Sequence, residues 1–167
     1  SACRSYIGRL AVEVRDLQVQ RGGPILMVQI ENEYGSYGND REYLLALKRA
    51  WEEAGITGPF FTADGAAPDM LQAGTIPGAA IGLDPGTNAA HFAEAEKLGR
   101  GVPVFCSEIY PGWITHWGEP WARVKTEDLL PQLSWLLENG KSFNLYLFHG
   151  GTNFGFTAGA NFGDKYL

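Results

Sequence analysis

The chain has 167 residues and a formal net charge of −6, with 45% hydrophobic and 13% aromatic residues. That is enough apolar material for one substantial core and a single domain. An acidic chain without clustered Lys and Arg excludes a phosphate-binding face for nucleic acid, and no apolar run reaches the ~20 residues of a membrane span. A neutral ligand suits this composition, and carbohydrate is the one that rewards aromatic platforms and paired carboxylates. No secretory pattern opens the chain, which begins at Ser1 and not at Met, so a start upstream is expected. Cys3 lies near a terminus and Cys106 within an apolar run, where a buried thiol is expected. Their spacing fits no disulfide, metal or redox pair.

Helical periodicity alternates with strand-like runs. Ile7, Leu10, Val14 and Leu17 recur at three and four residues, predicting a helix that stops before Gly22-Gly23-Pro24. A strand is expected over 24–32, from the run Ile25-Leu26-Met27-Val28. A second helix follows from Asp40, its predicted N-cap, to Ala54, with Leu44, Leu47 and Trp51 inward. Residues 59–62 read as a strand. The stretch 64–90 reads as Gly-, Ala- and Pro-rich loop, with one short strand over 79–83. His91 to Leu98 has helical composition, and Val102-Pro103-Val104-Phe105-Cys106 reads as a strand that delivers Glu108. After a long aromatic loop, Leu129, Leu133, Leu136 and Leu137 mark a last helix. Asp128 is its expected cap, which would put Pro131 in the first turn. The final strand, 142–148, runs into His149-Gly150-Gly151-Thr152-Asn153-Phe154.

About five strands alternating with four or five helices imply parallel crossovers and an α/β fold. An open doubly wound sheet and a (β/α)8 TIM barrel both fit, but a whole barrel needs eight strands and roughly 250 residues. In the barrel case this chain supplies only part of it, with exposed sheet edges.

Glu33 in Gln29-Ile30-Glu31-Asn32-Glu33-Tyr34-Gly35 and Glu108 in Cys106-Ser107-Glu108-Ile109-Tyr110-Pro111-Gly112-Trp113 each follow an apolar run. Carboxylates at the carboxyl ends of parallel strands are glycosidase equipment. One serves as acid/base and the other as nucleophile or base, about 5–5.5 Å apart in a retaining enzyme and about 6.5–9.5 Å in an inverting one. Charged residues at a strand exit are otherwise commonplace. Asn32 beside Glu33 can donate to a sugar hydroxyl, and Tyr110, Trp113, Trp117 and Trp121 after Glu108 offer ring faces for a pyranose. His91, His116 and His149 are scattered without ligand spacing, so no metal is expected. Gly150-Gly151-Thr152 lacks the Lys-Ser/Thr of a phosphate loop, and no serine-nucleophile elbow is present.

Three segments together resemble the β-galactosidases of glycoside hydrolase family 35: residues 22–37 around Glu33, Ser107 to Gly118 around Glu108, and Asn144 to Gly155. The resemblance implies a TIM barrel of which this chain holds strands 4 to 8, with Glu33 after the fourth and Glu108 after the seventh. It also implies retaining hydrolysis, with Glu33 as general acid/base, Glu108 as nucleophile, Asn32 as a sugar hydrogen-bond partner and Tyr146 as a site tyrosine. Tyr110 and Trp113 join them as substrate-binding candidates. The expected partner is a galactoside or oligosaccharide, with no metal or organic cofactor, and with the missing barrel half or a second copy as a possible associate. Thr115 departs from the family pattern, where many members carry Asp before His116-Trp117-Gly118. The competing readings are a galactoside-binding module without catalysis and a retaining glycosidase for another sugar.

Overall fold

A computed structural model describes residues 2–99, 101–116 and 118–147. Trp117, Phe148 and the glycine-rich segment that begins at His149 lie outside the described residues. Among the described residues five α-helices and five strands alternate: α1 (Ala2–Val14), β1 (Val28–Gln29), α2 (Arg41–Glu53), β2 (Phe60–Asp64), α3 (Pro68–Gly74), β3 (Ala80–Leu83), α4 (Ala89–Leu98), β4 (Val104–Ile109), α5 (Thr126–Glu138) and β5 (Phe143–Leu145). The strands form one parallel sheet in the order β1-β2-β3-β4-β5. Each crossover therefore steps to the next neighbour in the same direction. A doubly wound sheet reverses direction at a switch point, and this sheet does not. Single winding with crossovers of one hand stacks the helices on one face.

Two apolar clusters occupy that face. Ile81, Leu83, Cys106 and Ile109 pack with Leu71 of α3, Phe92 and Ala95 of α4, and Leu136 of α5. Ile30, Phe60 and Ile56 pack with Ala11 of α1 and Leu44 of α2. Because side chains alternate along a strand, Gly82 and Phe105 turn to the opposite, helix-free face. There the rings of Phe61 and Phe105 meet edge to face at 5.3 Å.

Several local expectations are corrected. The predicted first strand over 24–32 shrinks to two ladder residues. It has one neighbour in the sheet, Pro24 brings no N–H, and the chain turns through positive φ at Glu31. The first helix ends at Val14, and residues 15–17 and 19–21 form 3-10 turns that leave Leu17 half exposed. Within 64–90, read as loop around one strand, the chain forms α3 as well; its Pro68 sits at the helix start, where the missing N–H costs nothing. α5 begins at Thr126 and not after Asp128. Glu127 and Asp128 lie in its first turn, favoured there by the helix dipole, and exposed Pro131 falls inside the helix, where water can reach the carbonyl it leaves unbonded. Asp40 caps α2 as expected, accepting from the Tyr43 N–H at 3.1 Å.

Gln18 was not singled out by its sequence, yet it is 2% exposed. Its Oε1 accepts from the Thr57 and Gly58 N–H groups at 2.9 and 3.1 Å, and its Nε2 donates to the Arg15 carbonyl at 2.7 Å. This side chain ties the end of α1 to the turn that feeds β2. Replacing Gln18 by Leu strands the Thr57 N–H and the buried Gly58 N–H. It should cost about 2–4 kcal/mol of stability, read as a lower urea midpoint at unchanged slope.

Candidate active site

The carboxyl ends of β1 and β4 carry the two glutamates. Glu33 sits in a tight loop built by hydrogen bonds and by two left-handed residues, Glu31 at φ 62° and Glu33 at φ 50°. Such non-glycine conformations cost roughly 1–3 kcal/mol each and need a surrounding that enforces them. The Glu33 N–H donates to the Ala63 carbonyl at 2.8 Å and the Gly35 N–H to Asp64 Oδ1 at 2.7 Å, fastening the loop to the end of β2. A Cβ on Gly35 would stand 2.0 Å from the Met70 carbonyl oxygen, so only glycine admits this contact with α3. Behind the loop, Tyr43 of α2 donates to Glu31 Oε1, and Tyr34 packs on Tyr43 at 5.2 Å. The hydrogen bond to the Glu31 carboxylate, together with burial, pushes the Tyr43 hydroxyl up to about 12.

Asn32 is exposed beside Glu33. Gln29 Nε2 donates to Asn32 Oδ1 at 2.9 Å and to the Glu31 carbonyl at 2.8 Å.

Glu108 is placed by a β-bulge. From Cys106 to Ile109, β4 takes three steps while its partner β5 takes two, from Phe143 to Leu145. Cys106 and Ile109 both enter the helix-side core, so the extra residue leaves Ser107 and Glu108 both directed away from it. Asn144 of β5 donates to the Ser107 carbonyl at 3.2 Å across the bulge, and the Tyr146 N–H donates to the Ile109 carbonyl at 2.9 Å. The Tyr110 hydroxyl donates to Glu108. Burial pushes the Glu108 carboxyl above its ordinary value, the Tyr110 hydrogen bond pulls it back, and the Glu33 charge adds to the rise. The two glutamates therefore share one electrostatic neighbourhood.

Aromatic residues gather on the same side. Tyr110 meets Trp113 edge on at 5.2 Å and Tyr146 at 6.2 Å, so three of the expected substrate-binding residues form one cluster beside Glu108. Trp113 is 64% exposed and available to a ligand, and Trp121 is more exposed still. The Thr115 hydroxyl accepts from the Ala122 N–H at 2.8 Å. His116 pairs with Glu119 at 2.9 Å. Among the described residues no group of three or more His, Cys, Asp and Glu could hold a metal ion, and no helix is long and apolar enough to cross a membrane. A surface groove of about 470 Å³ lined by Thr75, Ile76, Pro77, Lys97 and Val102 contains neither glutamate and belongs to the approaches to β3 and β4.

Two buried aspartates escaped the sequence reading. Asp64 ends β2, and Asp84 follows β3; they are 1% and 5% exposed. Asp64-Gly65 and Asp84-Pro85-Gly86 look like turn formers, and the only signal to the contrary was their position directly after apolar runs. Burial pushes Asp64 up to about 6 against the Gly35 hydrogen bond, and Asp84 up to about 7 against its bond from Ser107.

The whole chain has relatives. Residues 1–166 match the model of glycosyl hydrolases family 35. The chain belongs to that family. It is 40% identical over 165 residues to a β-galactosidase of Xanthomonas manihotis, covering 97% of this chain and 27% of that protein. It is 40% identical over 166 residues to the human β-galactosidase, covering 96% of this chain and 24% of the relative. It is 41% identical over 165 residues to β-galactosidase 17 of Arabidopsis thaliana, covering 93% and 24%. The chain thus spans about a quarter of the length of the curated relatives it matches.

The raised carboxyls make stability depend on pH. Asp64, Asp84 and Glu108 hold their protons more tightly in the folded chain than in the unfolded one, so unfolding releases protons between the unfolded and folded values. Their contribution is full below the aspartate reference of 3.8 and is lost as pH rises through about 6 and about 7. The melting temperature should therefore fall from pH 4 to pH 7.5; a rise across that interval would contradict the buried, proton-holding state of these groups.

Proposed function

We propose that residues 1–167 are part of the catalytic domain of a retaining β-galactosidase, contributing strands 4 to 8 of a (β/α)8 barrel. The observation that carries this reading is the placement of Glu33 and Glu108 at the carboxyl ends of two parallel strands of a singly wound sheet, with the charge of one acting on the other. In this reading the sugar lies between the two carboxylates, with the Asn32 amide and the cluster of Tyr110, Trp113 and Tyr146 as its further contacts. The names of the relatives favour galactose over glucose or mannose as the released sugar.

In this mechanism Glu108 attacks the anomeric carbon as Glu33 gives its proton to the departing glycosidic oxygen, leaving a covalent glycosyl-enzyme. Glu33, now a carboxylate, takes a proton from water, whose oxygen displaces Glu108 and releases β-galactose. The Tyr110 hydrogen bond favours the ionised Glu108 that the attack requires. Asn32 donates to a sugar hydroxyl, while the rings exclude water from one side of the bound pyranose. No cofactor or metal enters these steps.

Hydrolysis of an aryl β-galactoside by the chain should disappear with Glu108→Gln, a loss of several orders of magnitude in kcat. Azide separates the two glutamates. With an activated substrate, Glu108→Gly should yield the α-galactosyl azide and Glu33→Gly the β-galactosyl azide, identified by NMR. The reverse pattern would exchange the two assignments. Retained turnover in Glu108→Gln would remove the nucleophile role. Binding of galactosides without hydrolysis would favour the non-catalytic module.

A further inference from the structure

Asp84 has a burial, a partner and a gap that the two-glutamate scheme does not use. Ser107, one residue before Glu108 and 6% exposed, donates to Asp84 Oδ1 at 2.5 Å. The other oxygen, Oδ2, is fully buried and has no hydrogen-bond partner among the described residues. The space for this pair is reserved by Gly82: a Cβ there would fall 2.2 Å from Ser107 Oγ. The Asp84 N–H donates to the Asp64 carbonyl at 3.0 Å, which also ties the backbone at Asp84 to the end of β2.

Among the described residues no positive charge acts on Asp84. Glu108 on β4, Glu33 in the loop after β1 and Asp64 at the end of β2 are the charges that act on Asp84, and all three are carboxylates. The neighbouring Cys106 thiol and Tyr110 hydroxyl are in turn pushed up in part by the Asp84 charge. A carboxylate with one buried, unbonded oxygen facing three like charges is a costly state. A protonated acid, with its O–H on Oδ2 and its carbonyl oxygen accepting from Ser107, carries a much smaller desolvation cost.

We propose that Asp84 is a positioning residue of the nucleophile segment, a neutral carboxylic acid that grips Ser107 at the β4 bulge and keeps the third carboxyl of the site uncharged while Glu33 and Glu108 work. The inference rests on the reading of Glu108 as nucleophile. Its physical content is that Asp84 holds its proton into the neutral range and that its ionisation is felt at Glu108. Ionised Asp84 would place a third negative charge beside the glutamates, and its repulsion would raise the cost of ionising Glu108.

The experiment is a pH titration of the 167-residue chain with the side-chain carboxyl carbons of Asp and Glu labelled with carbon-13. Resonances of Asp84 and Glu108 are assigned from Asp84→Asn and Glu108→Gln. Asp84 should titrate near pH 7, well above the exposed aspartates, and Glu108 should show a second inflection at the same pH that vanishes in Asp84→Asn. Ser107→Ala removes the bond that favours the ionised form, so it should move the Asp84 titration higher still. That variant keeps the test decisive if Asp84→Asn does not fold. Titration of Asp84 together with the exposed aspartates, or no upward movement in Ser107→Ala, overturns the neutral acid. A Glu108 curve without the second inflection overturns the coupling. These readouts need no substrate, so they decide this inference on its own data, while a reversed azide pattern or retained turnover in Glu108→Gln would overturn the roles of the glutamates separately.

Discussion

The extra residue in β4 between Cys106 and Ile109 sets the geometry on which the site depends. A regular strand would send Ser107 and Glu108 to opposite faces of the sheet, burying one of them among Leu83, Phe92 and Leu136. The bulge keeps two apolar anchors, Cys106 and Ile109, in the helix-side core and releases both polar residues between them to the other face. It is held open from β5 by the Asn144 amide on the Ser107 carbonyl and from β3 by Asp84 on the Ser107 hydroxyl. Glu108 thus owes its direction to its two neighbours in the sheet as much as to its own strand.

Glu33 is aimed by a different device with the same outcome. Its loop leaves β1 through two left-handed residues and is fastened to β2 by the Ala63 carbonyl and the Asp64 carboxylate. Each glutamate therefore depends on an aspartate at the end of an adjacent strand, Asp64 for Glu33 and Asp84 for Glu108. The two supports differ in geometry. Asp64 accepts a backbone N–H at 2.7 Å, whereas Asp84 accepts a hydroxyl and its second oxygen has no hydrogen-bond partner among the described residues. The parallel order of the strands makes both supports available, since it brings the ends of β1 through β4 to one edge of the sheet.

The fold was legible in the sequence wherever periodicity was long. α2 declared itself through Leu44, Leu47 and Trp51 with Asp40 in front, and the apolar run before Glu108 marked β4. α3 was missed because seven residues hold less than two helical turns of pattern and begin with proline after a Gly-Ala stretch. The start of α5 was misplaced because Asp128 has the chemistry of a cap, while the dipole of a helix starting at Thr126 satisfies the same charge within its first turn. Glu33, Asn32 and Glu108 stood out through their neighbours in sequence. Asp64 and Asp84 did not, since their partners Gly35 and Ser107 are 29 and 23 residues away and nothing local separates a buried acid from a turn former. The bulge was equally hidden, because it exists only in the register of β4 against β5.

The difference between Glu108 and Asp84 shows how one edge of a sheet can hold carboxyls in different charge states. Both are raised chiefly by burial. Glu108 is half-buried and receives the Tyr110 hydroxyl, which belongs to its own segment and opens toward the aromatic cluster where a ligand would lie. Asp84 is nearly sealed, receives one hydroxyl and feels Glu33, Glu108 and Asp64 together. Like charges at short range cannot all ionise, so between Glu108 and Asp84 the proton settles on the one with less access to solvent. Burial depth at the strand ends thereby distributes the charge, leaving ionisation to the carboxyl that faces the ligand side and a proton to the one packed behind it.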